Sequence, residues 1–192
     1  MPFSTVRLEI DDVVLIKTQR FADHRGYFME TYSRAPFVEA GIDAEFIQDN
    51  QSLSADTGTL RGLHFQRPPA AQAKLVRVLH GAIFDVAVDI RPQSRTYGKW
   101  CGARLTADGD EQMFVPRGFA HGFITLEPNT IVSYKVDAPY SREAEGGIRW
   151  NDPSLKIKWP IPANGPILAE RDGQFSFLKE LDTCTASMEA ES

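Results

Sequence analysis

The chain has 192 residues, a formal net charge of −5 at pH 7 and a sequence pI near 5.4. An acidic chain lacks the basic field that attracts nucleic acids and anionic membranes, so we expect neither as a general partner. It contains no apolar run of the ~18 residues that span a membrane, and its start lacks the apolar stretch of a signal peptide. A chain of this length without a linker predicts a single domain. With only Cys101 and Cys184, we expect a protein of the reducing cytoplasm without a disulfide framework.

The N-terminal quarter alternates short apolar runs with turn residues. Residues 6–17 predict one or two strands around an Asp-Asp turn, and residues 21–30 predict a His-Arg-Gly turn followed by an aromatic-rich strand. Residues 33–41 predict a short helix, because a proline falls in its first turn and a glycine follows its end. Residues 46–54 predict a further strand.

The stretch 59–89 has two strand-like segments flanking a Pro-Pro loop and carries most of the candidate catalytic groups. Short apolar runs then recur at 83–90, 100–106, 112–115, 122–126 and 131–136. Turn residues separate them and no helical periodicity is established, which is typical of an antiparallel sandwich or barrel. The tail from about 176 to 192 predicts a short helix. We therefore predict an all-β fold with short flanking helices, a core at about 14–160 and a tail at 161–192.

Two motifs fall where a cupin barrel presents its metal ligands, namely His64-Phe-Gln66 and Pro116-Arg-Gly-Phe-Ala-His121. A metal site requires three or four converging histidine or carboxylate ligands. Gln66 replaces one histidine, and no glutamate follows at the expected spacing. We expect the barrel without its metal, and no other cofactor.

Six segments follow one another along the chain: Leu60–Gln66, Lys74–Arg77, Phe84–Arg91, Pro116–Phe123, Tyr134–Lys135 and Ile148–Pro153. Together they closely resemble the dTDP-4-dehydrorhamnose 3,5-epimerases, and the resemblance extends from about Val14 to Pro160. It implies a cupin-type double-stranded β-helix, or jelly-roll barrel, that forms a metal-independent homodimer. It also implies inversion of C3 and C5 of dTDP-4-dehydro-6-deoxy-D-glucose, giving dTDP-4-dehydro-L-rhamnose.

Epimerisation beside a ketone needs a base, a group that stabilises the enolate, and an acid on the opposite face. His64 is the candidate base because imidazole titrates near neutral pH, although a lone barrel histidine is more often simply hydrogen-bonded. Lys74, with Arg61 nearby, offers positive charge to the enolate oxygen. Strand interiors rarely carry three polar groups such as His64, Arg61 and Lys74 without a ligand to receive them. Alternation places Arg61 and His64 on opposite faces unless Gly62 forms a bulge.

The resemblance assigns two further catalytic residues. Tyr134 matches the family's acid and Asp172 the carboxylate that orients the histidine; judged alone, they are a core tyrosine and a loop aspartate. Cations suit a diphosphate and aromatic rings suit a base. The resemblance assigns substrate binding to Phe21, Arg25, Phe28, Glu30, Gln48, Asn50, Arg61, His121, Tyr140, Glu145 and Arg171.

The chain departs from the family's pattern at Gln51, Pro139, Ala169 and Arg171. These positions are expected at the rim of the substrate site, so they bear on substrate detail and on the choice between C3 and C5 more than on the reaction class. A mono-epimerase or ketoisomerase on a related sugar nucleotide is the nearest alternative. A non-catalytic sugar-binding cupin and a metal-dependent cupin enzyme are the others, and the first of these would need no acid and base.

Overall fold

The computed structural model describes residues 3–181, whose regular structure is mostly β-strand. The strands are β1 (Phe3–Arg7), β2 (Val14–Thr18), β3 (Arg20–Asp23), β4 (Gly26–Met29), β5 (Gln48–Ser54), β6 (Thr59–Gln66), β7 (Lys74–His80), β8 (Ala82–Asp89), β9 (Trp100–Thr106), β10 (Glu111–Val115), β11 (Phe119–Thr125), β12 (Thr130–Val136), β13 (Glu145–Gly147) and β14 (Ile167–Leu168). Helix α1 spans Arg34–Glu39, and a 3-10 helix spans Glu170–Gly173. No helix within residues 3–181 is long and apolar enough to cross a membrane.

Two sheets form the barrel, and strands distant in sequence are neighbours in both. The first sheet has the order β1-β2-β10-β7-β12-β5, and the second has the order β13-β6-β11-β8-β9. Strand β14 joins the second sheet parallel to β6, and β3 and β4 form a separate hairpin. This is a jelly-roll arrangement, so the predicted all-β, cupin-type fold is confirmed.

The interior between the sheets is built by alternate residues of each strand, because successive side chains of a strand point to opposite faces. The inward apolar residues include Val76, Val78, Ile83, Ala87, Met113, Phe119, Phe123 and Val132. Four polar residues lie two positions from one of these on the same strand, and they therefore point inward as well: Lys74, Asp85, His121 and Tyr134. The apolar interior thus continues into a polar region.

Both outer faces are covered, which fixes the strands that carry the polar region. On the first sheet, α1 buries Phe37 against a cluster that includes Ile16 and Leu75. On the second sheet, Trp159 and Leu178 pack over residues such as Ile124. Burying an apolar side chain of this size stabilises the fold by about 1.5–3 kcal/mol.

The predicted elements are confirmed with shifted ends. Residues 6–17 contain the end of β1 and most of β2, and residues 21–30 contain the β3–β4 hairpin. Three short elements were not predicted from the sequence: β13 and β14, which are three and two residues long, and the 3-10 helix. In the tail, a helical turn occupies residues 178–181, and the rest of the predicted 176–192 helix lies outside the described residues.

Candidate active site

Strand β6 presents both Arg61 and His64 to the larger of two cavities, although residues three apart on a regular strand point to opposite faces. Between these two residues β6 has one residue more than the paired stretch of β11, which is a β-bulge. Gly62 has a φ of +134°, a conformation that favours glycine, and a Cβ there would lie 2.6 Å from the Cα of Gly122. The sequence permitted a bulge at Gly62 without predicting it, and the structure has one there.

His64 is paired with a carboxylate that comes from far along the chain. Its Nε2 lies 2.9 Å from Oδ1 of Asp172, whose Oδ2 accepts the backbone N–H of Gly62 at 3.2 Å. Burial alone would raise the pKa of Asp172, but the hydrogen bonds from His64 and Gly62 and the charge of Arg171 outweigh it and lower that pKa. An ionised Asp172 accepts a hydrogen bond from the Nε2–H of His64, which leaves Nδ1 as the nitrogen that can take up a proton.

The segment that carries Asp172 is docked against the barrel. The rings of Phe175 and His64 meet edge to face with centroids 5.6 Å apart. Arg149 donates from Nε to the carbonyl oxygen of Phe175 at 2.9 Å, and the backbone N–H of Leu178 donates to Oδ2 of Asp152 at 2.6 Å. Asp172 is therefore held in place although it belongs to a four-residue 3-10 helix.

Lys74 opens β7 and lines the same space as His64. Burial lowers the pKa of its ammonium group to about 8, and the negative charges of Asp85 and Glu145 oppose that shift. Lys74 is therefore a cation in a partly desolvated interior at neutral pH, where its charge acts more strongly than it would in water.

Tyr134 faces the same space from the opposite sheet. It lies on β12 between Asn50 of β5 and Val76 of β7, whereas His64 lies on β6 in the second sheet. Burial raises the pKa of the Tyr134 phenol, with Arg61 acting in the other direction. The phenol therefore keeps its proton at neutral pH. An imidazole and a protonated phenol thus face the same space from opposite walls.

A second histidine–carboxylate pair lies deeper in the barrel. Nε2 of His121 lies 2.7 Å from Oδ1 of Asp85, and the Asp85 side chain has no exposed surface. Burial lowers the pKa of His121, although the charge of Asp85 opposes it, so His121 is neutral at neutral pH. Asp85 was not predicted from the sequence. The feature that could have pointed to it is a carboxylate in the middle of an otherwise apolar strand.

Two adjoining cavities, of about 410 and 250 Å³, bring most of the predicted residues together. Both are lined by His64, Lys74, Tyr134 and Arg171. The larger also contains Arg61, His121 and Asp172, and the smaller contains Gln48, Asn50, Tyr140 and Glu145. Cavities of this size accommodate a small-molecule ligand.

Hydrogen bonds fix the rim of the smaller cavity. Oε2 of Glu145 accepts the hydroxyl of Tyr140 at 2.9 Å and Nη1 of Arg171 at 3.1 Å. The side chain of Gln48 donates to Oδ1 of Asn50 at 2.8 Å. The ring of Tyr140 remains 58% exposed, so a flat, fixed aromatic surface stands at the entrance.

Four predicted substrate-binding residues do not line either cavity: Phe21, Arg25, Phe28 and Glu30. They lie on the β3–β4 hairpin or directly after it. Arg25 is exposed and pairs with Asp23, 2.6 Å away, while Phe28 is 69% exposed. Within one chain these residues lie apart from the other predicted binding residues, so their assignment to substrate binding stays a prediction.

The family departures are not all at the rim. Ala169 and Arg171 line the larger cavity. Gln51 alternates with Asn50 on β5 and lies on the other face of the strand, away from both cavities, so its expected place at the rim is wrong. The carbonyl oxygen of Pro139 accepts Nε2 of Gln66 at 3.1 Å.

Gln66, which stands where a cupin barrel presents a metal ligand, links two loops in this structure. The amide of Gln66 donates to the carbonyl oxygen of Ala70 at 2.6 Å and accepts the backbone N–H of Ser141 at 2.7 Å, which joins two loops. Across the part of the chain that the structure describes, no three histidine, cysteine or carboxylate side chains are grouped to hold a metal ion.

A jelly-roll barrel with a histidine–carboxylate pair, a partly buried lysine and a tyrosine on the opposite wall is the arrangement of an acid–base enzyme of the cupin type. The family model that matches the chain, over residues 7–180, is described as dTDP-4-dehydrorhamnose 3,5-epimerase. The chain belongs to this family and is an isomerase.

Relatives match over nearly the whole chain. A dTDP-4-dehydrorhamnose 3,5-epimerase of Sinorhizobium fredii is 50% identical over 174 residues, which are 91% of this chain and 89% of the relative. The crystal structure of the Bacillus anthracis enzyme, with TDP and pyrophosphate bound, superposes with a TM-score of 0.88 at 45% identity and covers 91% of this chain and 99% of that one. A Legionella pneumophila epimerase in complex with dTDP-4-keto-L-rhamnose is 39% identical, with a TM-score of 0.88 and coverages of 92% and 93%.

Proposed function

We propose that the chain inverts C3 and C5 of dTDP-4-dehydro-6-deoxy-D-glucose and gives dTDP-4-dehydro-L-rhamnose. The observation that carries the proposal is the approach of His64 and Tyr134 to one cavity from opposite sheets. Inversion of a carbon beside a ketone requires removal of a proton from one face and return of a proton to the other. The ligands of the Bacillus and Legionella relatives support a dTDP-sugar as the substrate.

In the first step, Nδ1 of His64 takes the proton from a carbon next to the C4 ketone. The imidazole becomes an imidazolium, and the charge of Asp172 stabilises it through the 2.9 Å contact with Nε2. The ketone becomes an enolate, whose oxygen is stabilised by the ammonium of Lys74. A well-placed group of this kind contributes about 3–4 kcal/mol in other enzymes.

In the second step, Tyr134 donates the proton of its phenol to the opposite face of the same carbon. Its raised pKa keeps that proton available over the whole neutral range. His64 then releases its proton to solvent, Tyr134 regains one, and the cycle repeats at the second carbon. Each inversion thus incorporates one solvent hydrogen.

The nucleotide half of the substrate is assigned to the rim. Arg171 and Arg61 line the larger cavity and supply cations for the diphosphate. The exposed ring of Tyr140, held by Glu145, offers a surface on which the thymine base can stack.

A homodimer is part of the proposal. The β3–β4 hairpin exposes Phe21, Tyr27 and Phe28, which are 49–69% accessible, and exposed aromatic groups of this kind mark protein contacts. All four predicted binding residues that miss the cavities lie on or beside this hairpin. A second copy whose hairpin covers the cavities would complete the site with Phe28 and Arg25.

Mixed dimers test that arrangement. His64→Asn and Arg25→Ala each abolish activity alone if both residues serve every site. Equal amounts of the two variants, unfolded and refolded together, should regain about a quarter of the parent activity, since half of the dimers are mixed and each has one intact site. Absence of regained activity in a mixed dimer would mean that Arg25 serves the site of its own chain, and an active Arg25→Ala variant would place Arg25 outside the site.

Metal independence and a cytoplasmic location complete the proposal. The first is supported by the use of Gln66 as a link between loops, and the second by a chain with only two cysteines, of which Cys101 is buried and unpaired.

The function is tested by incubation with the 4-keto sugar nucleotide in deuterated water, followed by NMR of C3 and C5. Deuterium at both carbons, with formation of the L-rhamno product, is the expected result, and His64→Asn should abolish both while it still binds dTDP. Label at one carbon only would indicate a mono-epimerase. Binding without any label would indicate a non-catalytic sugar-binding protein.

A further inference from the structure

Asp85 is a buried carboxylate for which the proposed reaction has no role so far. It lies on β8 between the inward residues Ile83 and Ala87 and has no exposed surface. Its Oδ1 contacts His121, but its Oδ2 is buried and has no hydrogen-bond partner among residues 3–181. A buried carboxylate oxygen without a partner costs several kcal/mol unless a cation compensates for it.

The cation available to Asp85 is Lys74. Both side chains point into the interior from facing sheets, Lys74 on β7 and Asp85 on β8. Lys74 and His121 line the larger cavity, whereas Asp85 does not. Asp85 thus stands behind both residues, and of the charges that favour the ammonium form of Lys74 it is the strongest.

We propose that Asp85 is a positioning residue that holds the enolate-stabilising side of the site, with Oδ1 fixing the ring of His121 and Oδ2 directing the ammonium of Lys74. The inference rests on the proposed function and deepens it. A lysine side chain has four flexible methylenes, so an anchor behind it limits where its charge can lie.

The two histidine–carboxylate pairs then have separate tasks. The side chain of His64 is 25% exposed and can exchange its proton with solvent, whereas that of His121 is 8% exposed. His121 donates from Nε2 to Asp85 and stays neutral, so its Nδ1 can accept a hydrogen bond from a sugar hydroxyl. Asp172 supports the base, and Asp85 supports the groups that receive the developing charge.

Asp85→Asn should therefore change the titration of Lys74. The other titratable and charged groups around the two cavities come from six strands or loops and the 3-10 helix: Arg61 and His64 on β6, Asp85 on β8, His121 on β11, Tyr134 on β12, Tyr140 in the loop after β12, Glu145 on β13, and Arg171 and Asp172 on the 3-10 helix. Burial lowers the pKa of Lys74, and the charge of Asp85 opposes that shift. Without this charge, the pH midpoint of Lys74 protonation should fall from about 8 by about one pH unit. At pH 8 the protonated fraction would drop from about a half to about a tenth, which lowers kcat about five-fold.

Two readouts separate this role from simple loss of structure. The first is competitive labelling of Lys74 with acetic anhydride as a function of pH, followed by peptide mass spectrometry, which does not depend on epimerase activity. The second is kcat and KM against pH. Asp85→Asn should lower the Lys74 midpoint and move the falling limb of kcat to lower pH, while KM changes less than kcat.

Asp89→Asn is the matched control, because Asp89 is a buried carboxylate on the same strand that binds Arg91, Ser94 and Thr96 outside both cavities. It should leave the Lys74 midpoint unchanged. A folded Asp85→Asn protein with the parent midpoint would overturn the proposal. If the parent enzyme proves inactive, the proposed function fails, while the labelling still decides the role of Asp85.

A further measurement covers the case in which Asp85→Asn does not fold. In parent protein with ¹³C-labelled aspartate carboxyls, one buried carboxyl resonance should shift with a midpoint near pH 8, as Lys74 loses its proton. That shift should vanish in Lys74→Met. If no carboxyl resonance responds in this range, the charges of Asp85 and Lys74 do not interact and the proposal is wrong.

Discussion

The Asp172→Asn substitution isolates the charge that supports the catalytic base. Asparagine keeps the shape of the side chain, but its single oxygen replaces only one of the two carboxylate oxygens, so it can accept either from Nε2 of His64, 2.9 Å away, or from the backbone N–H of Gly62. The variant lacks the negative charge that stabilises the imidazolium. Because the amide can also turn its NH₂ group toward the ring and favour the wrong tautomer, the loss extends to the neutral enzyme.

The magnitude follows from the burial and charge of the pair. Asp172 is 2% exposed, so solvent screens the contact little. A hydrogen bond to a charged group contributes about 1.5–3 kcal/mol, and its loss from the transition state corresponds to about a 10- to 150-fold slower proton abstraction. Binding of dTDP should largely persist, since the hydrogen bonds of Asp172 go to His64 and Gly62. Arg171, whose Nε lies 3.6 Å from Oδ1 of Asp172, keeps its hydrogen bond to Glu145.

The assay is the rate of deuterium exchange at C3 and C5 by NMR, with dTDP affinity measured by calorimetry. Asp89→Asn serves as the control, because it removes an equally buried charge outside both cavities. Its folded fraction should exchange at the parent rate. Exchange by Asp172→Asn at more than half of the parent rate would refute the reasoning that this carboxylate assists His64.

Three further predictions concern pH, stability and metal. The rate should fall as the pH rises through about 8, because Lys74 then loses its charge; a rate that stays level to pH 10 would contradict this role. Asp89→Asn should lower the free energy of unfolding by about 2 kcal/mol at pH 7, since hydrogen bonds outweigh burial and lower the pKa of Asp89 to about 2. This contribution is complete above pH ~4 and disappears as the pH falls toward 2, so urea melts of parent and variant should converge there. Activity should survive exhaustive chelation, and turnover that is lost and then restored by a divalent metal would require a metal site.

Most of the fold could be predicted from the sequence because it depends on local patterns. Alternating apolar residues between turn residues predicted the strands from β8 to β12 within a few positions. Strands β13 and β14 are too short for such a pattern, and they form because β6 offers them a free edge. The 3-10 helix is likewise a consequence of docking rather than of periodicity.

The site was less predictable because its pairs are remote in sequence. Asp172 lies 108 residues from His64, and only the family resemblance connected them. Asp85 was missed because a carboxylate within an apolar strand has no partner in the local sequence; His121 is 36 residues away. The residues on and beside the β3–β4 hairpin line neither cavity of their own chain, so their assignment to substrate binding, which only the family resemblance supplied, stays a prediction.

Tyr134→Phe tests the central claim, that base and acid act from opposite faces, most directly. Phenylalanine keeps the packing on β12 and removes only the proton donor. In deuterated water the variant should incorporate label into recovered substrate at C3, C5 or both and form little inverted product, because His64 can return a deuteron only to the face from which it took a proton. Product formation at close to the parent rate would contradict the account, and so would loss of both exchange and inversion with dTDP binding intact.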